Sequence, residues 1–287
     1  MPAFPAEQTY GSEGSISAFP AERASASRDS GDRNYLPKKP ACIVLEKINQ
    51  SFGNKQVLFD IDLTVPSGII YGLLGPSGCG KTTTVKIIAG ILEASSGSVH
   101  VLGEPMPKLS LMNRLGYMAQ ADALYPLLTA EENLVFFSGL YGMKKKRAKE
   151  RILEVMALVN LTDHRTKVVA AYSGGMKRRL SLAMALLHEP EVLILDEPTV
   201  GIDPLLRKSI WDTFNAIARQ GITIIVTTHV MDEAEKCNEL AMMRDGRLIA
   251  RGTPMQLRQK IGASSIEEAF IYYGGGGDTR QGERHAD

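Results

Sequence analysis

The sequence predicts an α/β fold, in which a block of helices is inserted between the strands of a parallel sheet. The apolar run 69–74 is followed by a glycine-rich turn and then by a helical pattern over 82–89. Two further apolar runs, 192–195 and 223–227, have the length and composition of buried parallel strands. Between 129 and 189 the pattern is helical throughout. The order of elements therefore indicates a core sheet and an inserted helical lobe.

Length and composition are those of a globular protein. The chain has 287 residues, is 44% apolar and carries a net charge of +1, which suits one large domain or two small ones. This balance gives no reason to expect nucleic acid as a partner. Cys42, Cys79 and Cys237 lie far apart without metal-ligand spacing, which indicates a reducing compartment. No apolar run approaches the ~20 residues that cross a bilayer, and no signal peptide is evident, so we expect a soluble chain whose membrane role comes through a partner.

Both ends of the chain differ in composition from the middle. Residues 1–40 are rich in Ser, Ala, Pro and Gly and hold few large aliphatic side chains, so we predict a disordered tail. The word Ala-Phe-Pro-Ala-Glu occurs in it at 3–7 and again at 18–22, either as a docking motif or as a local duplication. The glycine run that opens 274–287 predicts a flexible C-terminal tail. The ordered domain is therefore expected over 41–273.

The elements before the helical lobe are predicted to be mostly strands. Order begins near Cys42, and residues 56–65 alternate as expected for a half-exposed strand. A Pro-Ser-Gly turn then leads into the apolar run 69–74. Two further strands are expected over 98–102 and 115–118.

The later elements follow from periodicity and end signals. A helix from about Lys144 buries one apolar face, made by Ala148, Ile152, Val155, Met156 and Val159. Its outer face is basic between Lys144 and Arg151, and it either contacts lipid headgroups or is an ordinary solvated face. A helix over 204–220 has Asp203 as its N-cap and Pro204 at its first position. The chain closes with a hairpin of 240–243 and 247–250 and with helices over 254–260 and 266–273.

The glycine-rich turn fits the phosphate-binding pattern G-x-x-x-x-G-K-[ST]. Its glycines let backbone N–H groups wrap an anion, and the helix that follows adds the positive end of its dipole. In this pattern Lys81 reaches the β- and γ-phosphates, and the Thr82 hydroxyl binds Mg²⁺. The alternative is a chance glycine-rich turn, but a strand precedes it and a helix follows. The predicted nucleotide-binding residues here are Gly75, Pro76, Ser77, Gly78, Cys79, Gly80, Lys81, Thr82 and Thr83.

A pair of carboxylates follows the apolar run 192–195. Asp196 lies at the carboxyl end of this strand, where a second residue that holds Mg²⁺ is needed beside a phosphate loop. Glu197, one residue further on an extended chain, is expected to face the other way and to polarise a water that attacks the γ-phosphate. Acidic residues at strand ends are also commonly just solvated, and the phosphate loop upstream is what favours the functional interpretation.

Two longer motifs then carry a family resemblance. They are Tyr172-Ser173-Gly174-Gly175-Met176-Lys177-Arg178-Arg179 and Leu193-Ile194-Leu195-Asp196-Glu197-Pro198-Thr199. Together they resemble the nucleotide-binding domain of the ATP-binding cassette (ABC) family, and the resemblance covers about 42–273. It implies a P-loop NTPase (RecA-like) core sheet with an antiparallel β subdomain and an inserted α-helical subdomain at about 121–189. It also implies ATP and Mg²⁺ as cofactors and an ATPase activity coupled to transmembrane transport.

The resemblance also implies roles for single residues. Phe52 matches the aromatic side chain that stacks on adenine, with ordinary core packing as its alternative. Gln120 matches the loop glutamine that contacts Mg²⁺ and the attacking water. His229 matches the switch histidine that contacts the γ-phosphate. Asp203 matches a loop that crosses the dimer interface, and it can also serve as an N-cap. Ser173, Gly174 and Gly175 match the signature that binds the γ-phosphate held by the opposite subunit.

Physical reasoning supports a dimer independently of the resemblance. The Ser-Gly-Gly turn at 173–175 opens a helix, so it offers a second set of N–H groups at a dipole end. One chain cannot easily bring two helix N-termini to one phosphate. Two chains arranged head to tail can, and they close two identical sites about a twofold axis. We therefore expect a homodimer, or a paired cassette, in the ATP state.

Four positions depart from the usual family pattern or add to it. Tyr172 and Met176 replace the Leu and Gln that usually bound the signature, which puts nucleotide affinity or its tuning in doubt. Val200 stands where Ser is common, so a hydrogen bond across the dimer is expected to be missing. Cys79 lies near Lys81 and a helix start, which both lower a thiol pKa. On that basis alkylation should inactivate the protein and ATP should protect it, unless Cys79 is only a small residue that fills the loop.

The stretch 120–134 and the tail 266–271 resemble exporters of the ABC-2 type. No coiled-coil insert, second cassette or C-terminal regulatory domain is evident, which argues against other branches. By this resemblance 121–129 receives an integral membrane permease on the cytoplasmic side, through an exposed patch of Leu124, Tyr125, Leu127 and Leu128. An ordinary loop with apolar anchors is the alternative. A soluble ATP-driven regulator or remodeller, and an importer subunit, also remain open.

Overall fold

The computed structural model describes residues 40–276. The predicted N-terminal tail with its repeated word, and the predicted C-terminal tail from residue 277 onwards, lie outside the described residues. Within the described part the strands are β1 (Ala41–Phe52), β2 (Lys55–Pro66), β3 (Ile70–Leu74), β4 (Ser96–Val101), β5 (Glu104–Pro105), β6 (Leu115–Met118), β7 (Val192–Asp196), β8 (Thr223–Thr228), β9 (Glu239–Arg244) and β10 (Arg247–Gly252).

The α-helices connect these strands and also form a separate lobe. They are α1 (Lys81–Ile88), α2 (Ala130–Leu140), α3 (Lys145–Leu158), α4 (Gly174–Leu186), α5 (Pro204–Arg219), α6 (Met231–Ala234), α7 (Pro254–Gln259) and α8 (Ile266–Ile271). A last helical turn over Tyr272–Gly276 includes the first three residues of the predicted flexible tail. In the part of the chain that the structure describes, no helix is both long enough and apolar enough to cross a membrane.

Two sheets make the body of the domain. The larger has the order β10-β9-β3-β8-β7-β6, and its strands from β9 to β6 are parallel. The smaller is antiparallel, with the order β2-β1-β4-β5. All five residues of β3 and all five of β7 are buried, which explains their continuous apolar runs. This is the predicted core sheet with an antiparallel β subdomain.

The parallel sheet separates two hydrophobic cores. Alternate residues of β3 serve both, because Ile70 and Leu74 pack into the core on the helical side while Tyr71 and Leu73 pack into the core shared with the antiparallel sheet. The same central sheet therefore anchors both parts of the domain.

The helical lobe is built from α2, α3 and α4. Thr129 and Glu132 form a capping box that begins α2. The predicted apolar face of α3 is buried, as expected from its spacing, and it packs in the core on the helical side of the sheet. The lobe lies between β6 and β7 in the sequence, where the helical pattern predicted an insertion.

Candidate functional site

The phosphate loop joins β3 to α1 and contains two glycines in the left-handed region. Gly78 has φ 80° and Gly80 has φ 106°, and a Cβ at Gly80 would lie 2.5 Å from the Leu58 side chain. Both positions therefore require glycine. The buried Lys81 ammonium donates hydrogen bonds to the carbonyl oxygens of Gly75 (2.8 Å) and Pro76 (3.0 Å), so it is held inside the loop.

A cleft of about 540 Å³ opens over this loop. Phe52, whose side chain is 51% exposed, lies at its edge next to the start of β2. The lining combines loop residues, the carboxylate-bearing end of β7 and the turn between β9 and β10. The residues are Phe52, Lys55, Gln56, Val57, Phe59, Ser77, Gly78, Gly80, Lys81, Thr82, Thr83, Gln120, Glu197, Asp245 and Gly246.

Asp196 is fully buried beside the start of α1. Its Oδ1 accepts hydrogen bonds from the hydroxyls of Thr227 (2.6 Å) and Thr82 (3.2 Å). Its buried Oδ2 has no hydrogen-bond partner among the described residues. A buried carboxylate oxygen without a donor, next to a threonine hydroxyl, is a ligand set that suits Mg²⁺. The predicted metal residues Thr82 and Asp196 therefore fit the ion. The third predicted residue, Gln120, lines the cleft over the phosphate loop together with Thr82.

Glu197 is at the centre of the cluster of charged and polar side chains. Its Oε1 lies 3.6 Å from Lys81 Nζ and 3.3 Å from His229 Nδ1, while its Oε2 accepts a 3.1 Å hydrogen bond from Gln120 Nε2. The structure thus brings the three predicted catalytic residues and the loop lysine together. The Glu197 side chain is buried, whereas Gln120 and His229 are exposed, so the cluster lies at the floor of a cleft that solvent can enter.

The expected extended backbone at Glu197 is wrong. The chain is not extended there, because β7 ends at Asp196 and Glu197 has φ 49°. The left-handed backbone brings Glu197 to Lys81 while Asp196 contacts Thr82. A glutamate in this region costs on the order of 1–3 kcal/mol. The Glu197 N–H donates a 2.9 Å hydrogen bond to the Thr227 hydroxyl, which helps to hold the conformation.

Arg178 belongs to the signature motif, but the sequence alone predicts no role for it. Its guanidinium is buried and donates to the carbonyl oxygens of Asp196, Glu197 and Pro198, and also to those of Ala119 and Gln120. One side chain of α4 therefore ties the signature helix to the segments that carry Gln120 and Glu197 in the same chain. The sequence does not distinguish Arg178 from its basic neighbours Lys177 and Arg179, so this role could not be predicted from it.

Glu233 is a second residue that sequence reasoning missed. It is 1% exposed, and it accepts hydrogen bonds from the hydroxyls of Thr199 and Thr228 (2.6 Å to the latter). Arg207 Nε lies 3.5 Å from its Oε1. These partners belong to the segment after β7, the segment before His229 and the helix that Asp203 begins. The sequence around Glu233 contains no pattern that predicts these long-range contacts.

The signature turn lies at the surface, outside the cleft. The Ser173 hydroxyl accepts a 3.3 Å hydrogen bond from the Met176 N–H and caps α4. Asp203 caps α5 in the same way, because its Oδ1 accepts a 3.0 Å hydrogen bond from the Leu206 N–H. Among the described residues that line the cleft, none comes from 173–175 and none is Asp203. A Cβ at Gly175 would lie 2.8 Å from the Leu206 side chain, so the starts of α4 and α5 pack together.

Comparison with known proteins identifies the family. The sequence profile of the family described as ABC transporter matches residues 58–200. The linearmycin resistance ATP-binding protein LnrL of Bacillus subtilis (strain 168) is 39% identical over 239 residues, which covers 79% of this chain and 76% of that protein. The chain belongs to the ABC transporter family. It carries the ABC ATPase domain of that family, so the predicted family and enzyme class are confirmed.

Other relatives of this ABC cassette have related names. The Nod factor export ATP-binding protein I of Burkholderia lata is 40% identical over 236 residues, covering 81% of the cassette chain and 77% of the relative. The probable multidrug ABC transporter ATP-binding protein YbhF of Escherichia coli (strain K12) is 41% identical over 239 residues, covering 80% of the chain. The chain spans only about two fifths of the length of YbhF, because the match covers 41% of that protein.

Solved structures share the fold. The ATP-binding subunit of an ABC transporter superposes with a TM-score of 0.74 at 27% identity, covering 81% of this chain and 99% of that one. The cbiO1 protein of Clostridium perfringens is described as part of the ABC transporter complex cbiONQ. It superposes with a TM-score of 0.71 at 25% identity, covering 80% of this chain and 94% of that one. The predicted fold class is therefore confirmed.

Two expectations about side chains of the cassette need correction. Burial raises the pKa of the Cys79 thiol, and this outweighs the lowering effect of Lys81, so the expected lowering of this pKa is wrong. In the loop 121–129 only part of the expected apolar patch is exposed. Tyr125 and Leu127 are exposed (45% and 85%), whereas Leu124 is half-buried against the helical core and Leu128 is half-buried.

Proposed function

We propose that the chain is the ATP-binding and ATP-hydrolysing subunit of an exporter-type ABC transporter, and that two copies close head to tail around two ATP molecules. The relatives support the exporter branch, because their names describe multidrug transport and Nod factor export. The observation that carries the proposal is the convergence of Lys81, Gln120 and His229 on Glu197 over the phosphate loop.

ATP binds in the cleft over the phosphate loop. The triphosphate lies against the N–H groups at the start of α1, and the adenine stacks on the exposed face of Phe52. Lys81 gives up its two hydrogen bonds to the loop carbonyl oxygens and instead contacts the β- and γ-phosphates. Thr82 and Asp196 would hold Mg²⁺, with Gln120 beside them. The ion, when bound, neutralises charge on the phosphate oxygens.

Glu197 acts as the general base. Its carboxylate accepts a proton from the attacking water, whose oxygen forms a bond to the γ-phosphorus while the bond to the ADP oxygen breaks. Gln120 orients this water, and His229 donates a hydrogen bond to the γ-phosphate. Lys81 stabilises the negative charge that develops in the transition state. Because Arg178 donates to backbone oxygens of both the Gln120 and Glu197 segments, these groups keep their relative position.

The second copy supplies what the cleft of one copy lacks. Ser173 and Gly174 are exposed at the N-terminus of α4 and lie outside the cleft. In the dimer they contact the γ-phosphate bound by the partner subunit. Hydrolysis removes this shared group, so the dimer opens and the cycle resets.

A pair of glycine variants in the hydrolysis-deficient background tests the dimer. Glu197→Gln with ATP should elute as a dimer in size-exclusion chromatography. Adding Gly174→Asp should leave a monomer, because the new carboxylate repels the partner's γ-phosphate; the position has open space for a side chain. Gly139→Asp is the matched control, since its position is equally open. A dimer that survives Gly174→Asp would remove the signature turn from the interface.

The permease surface is the exposed part of the loop 121–129, which includes Tyr125 and Leu127, on the cytoplasmic side of the membrane. Copurification of a multi-span membrane protein with the full chain would support this partner. If the chain purifies alone and its ATPase responds to a soluble partner, a soluble regulator or remodeller is favoured. Transport direction in reconstituted vesicles separates an exporter from an importer subunit.

A further inference from the structure

The joint between α2 and α3 presents apolar side chains to solvent. Val135 and Phe136 are exposed to 54% and 42%, and Leu140, one turn later on the same face of α2, is exposed to 67%. Their neighbours Ala130, Asn133 and Leu134 are buried, so the exposed side chains form the outer face of the helix. Three large apolar side chains exposed on one helix face indicate a surface that meets a partner or a membrane.

A group of lysines directly follows this apolar face. Lys144, Lys145, Lys146 and Lys149 are exposed, and in the described part of the chain none of the four is ion-paired. The neighbouring Arg147 differs, because it pairs with Glu154 and Glu189. The whole chain has a net charge of only +1, so this local excess of positive charge is specific to the joint.

The position of these lysines is unfavourable for the helix itself. α3 begins at Lys145, its N-cap Lys144 makes no side-chain cap hydrogen bond, and no acidic residue lies in its first turn. Cations at this end oppose the helix dipole. An anionic surface placed against the joint would relieve this repulsion and would also accept hydrogen bonds from the free N–H groups of the first turn.

We infer that the α2–α3 joint is a peripheral contact with anionic lipid headgroups. The lysines contact the phosphate groups, and Leu140 and Phe136 enter the boundary between headgroups and acyl chains. A free anion would explain the lysines but would leave the apolar side chains without a role. Nucleic acid would likewise not use aliphatic side chains such as Leu140 and Val135.

The joint is also continuous with the proposed permease surface. The rings of Tyr125 and Phe136 are in edge contact, with centroids 4.9 Å apart. If the loop 121–129 docks on a permease, this ring contact orients α2 next to the docking site. The orientation rests on the proposed function, whereas the lipid contact can be measured without it.

Co-flotation of the full chain with phospholipid vesicles tests the inference. Vesicles of phosphatidylcholine with added phosphatidylglycerol should carry the chain at low salt. Pure phosphatidylcholine vesicles should carry far less. Lys144→Gln, Lys145→Gln and Lys146→Gln together should weaken binding on the order of a hundredfold, at about fivefold per lysine. The matched control changes three exposed lysines elsewhere, Lys47, Lys167 and Lys260, which likewise have no ion pair in the described part of the chain.

Salt and ATPase measurements complete the test. Binding should fall steeply as the Debye length shrinks from about 10 Å at 0.1 M to about 3 Å at 1 M salt. Leu140→Ser should weaken the binding that remains at high salt. Equal loss in the two triple variants, equal binding to neutral vesicles, competition by soluble glycerophosphate or stronger binding to RNA would each overturn the inference.

The ATPase rate is measured on the same samples to separate the two proposals. Neither triple variant touches the nucleotide site, so both should keep the rate of the unmodified chain. Normal ATPase activity without vesicle binding contradicts only the lipid contact. Vesicle binding by a chain that does not hydrolyse ATP contradicts only the proposed function.

Discussion

Replacing Glu233 with alanine tests whether one buried carboxylate holds three segments of the nucleotide site together. Glu233 is 1% exposed and accepts hydrogen bonds from Thr199 and Thr228, while Arg207 lies 3.5 Å away. Thr228 immediately precedes His229, and Thr199 follows Glu197 by two residues. Loss of the carboxylate should therefore affect both the stability of the domain and the positions of Glu197 and His229.

The expected magnitude follows from these contacts. A hydrogen bond to a charged group contributes about 1.5–3 kcal/mol, and removing one partner of a buried ion pair costs about 3–5 kcal/mol. The Thr228 hydroxyl keeps one partner, because it accepts a 3.0 Å hydrogen bond from the Val230 N–H. We therefore expect Glu233→Ala to lower the free energy of unfolding by about 3 kcal/mol. For a domain of this size that corresponds to a Tm lower by about 6–12 °C.

Thermal unfolding and steady-state ATPase kinetics measure the two effects. Asp232→Ala is the matched control, because Asp232 is exposed on the same short helix and should change stability by less than about 1 kcal/mol. Glu233→Gln keeps the volume and lets the threonine hydroxyls rotate, so it should recover part of the stability but not the pairing with Arg207. If Glu233→Ala and Asp232→Ala unfold at the same temperature, the carboxylate does not hold these segments together.

Further predictions concern the cleft. Glu197→Gln should lower kcat by about a hundredfold or more while ATP binding persists; a normal phosphate-release rate would exclude Glu197 as the base. Lys81→Ala should abolish binding of a fluorescent ATP analogue, and unchanged affinity would contradict the role of the loop. Alkylation of Cys79 by iodoacetamide, followed by mass spectrometry, should be slower than that of free cysteine at neutral pH and should quicken as pH rises, because burial raises the pKa of the thiol. Fast modification at neutral pH would contradict this environment.

The predictions that the structure confirmed depend on residues close together in the sequence. The apolar spacing of α3 gave its buried face, since helical periodicity is a local property. The strand bounds of β6 match the predicted range 115–118, and β7 begins at 192 as expected. The predicted capping of α5 by Asp203 also follows from a local hydrogen bond, which extends over only three residues.

Other features depend on partners that are distant in the chain. The hydrogen bond from Thr82 to Asp196 spans 114 residues, and the one from Thr199 to Glu233 spans 34. β3 lies between β8 and β9 in the sheet, an order that the sequence pattern does not encode. The exposure of Leu124 could not be predicted for the same reason, because packing against the helical core decides it.

The sequence by itself determined the phosphate loop, the acidic end of β7, the signature turn and the family to which they belong. These features are short, and their chemistry requires particular residues at fixed spacing. Only the tertiary structure decided that Glu197 turns through a left-handed backbone to meet Lys81, that Arg178 and Glu233 hold the segments around Glu197 and His229, and that burial raises the pKa of Cys79. The physical reason is that burial and long-range hydrogen bonding arise only when distant strands and helices pack against one another.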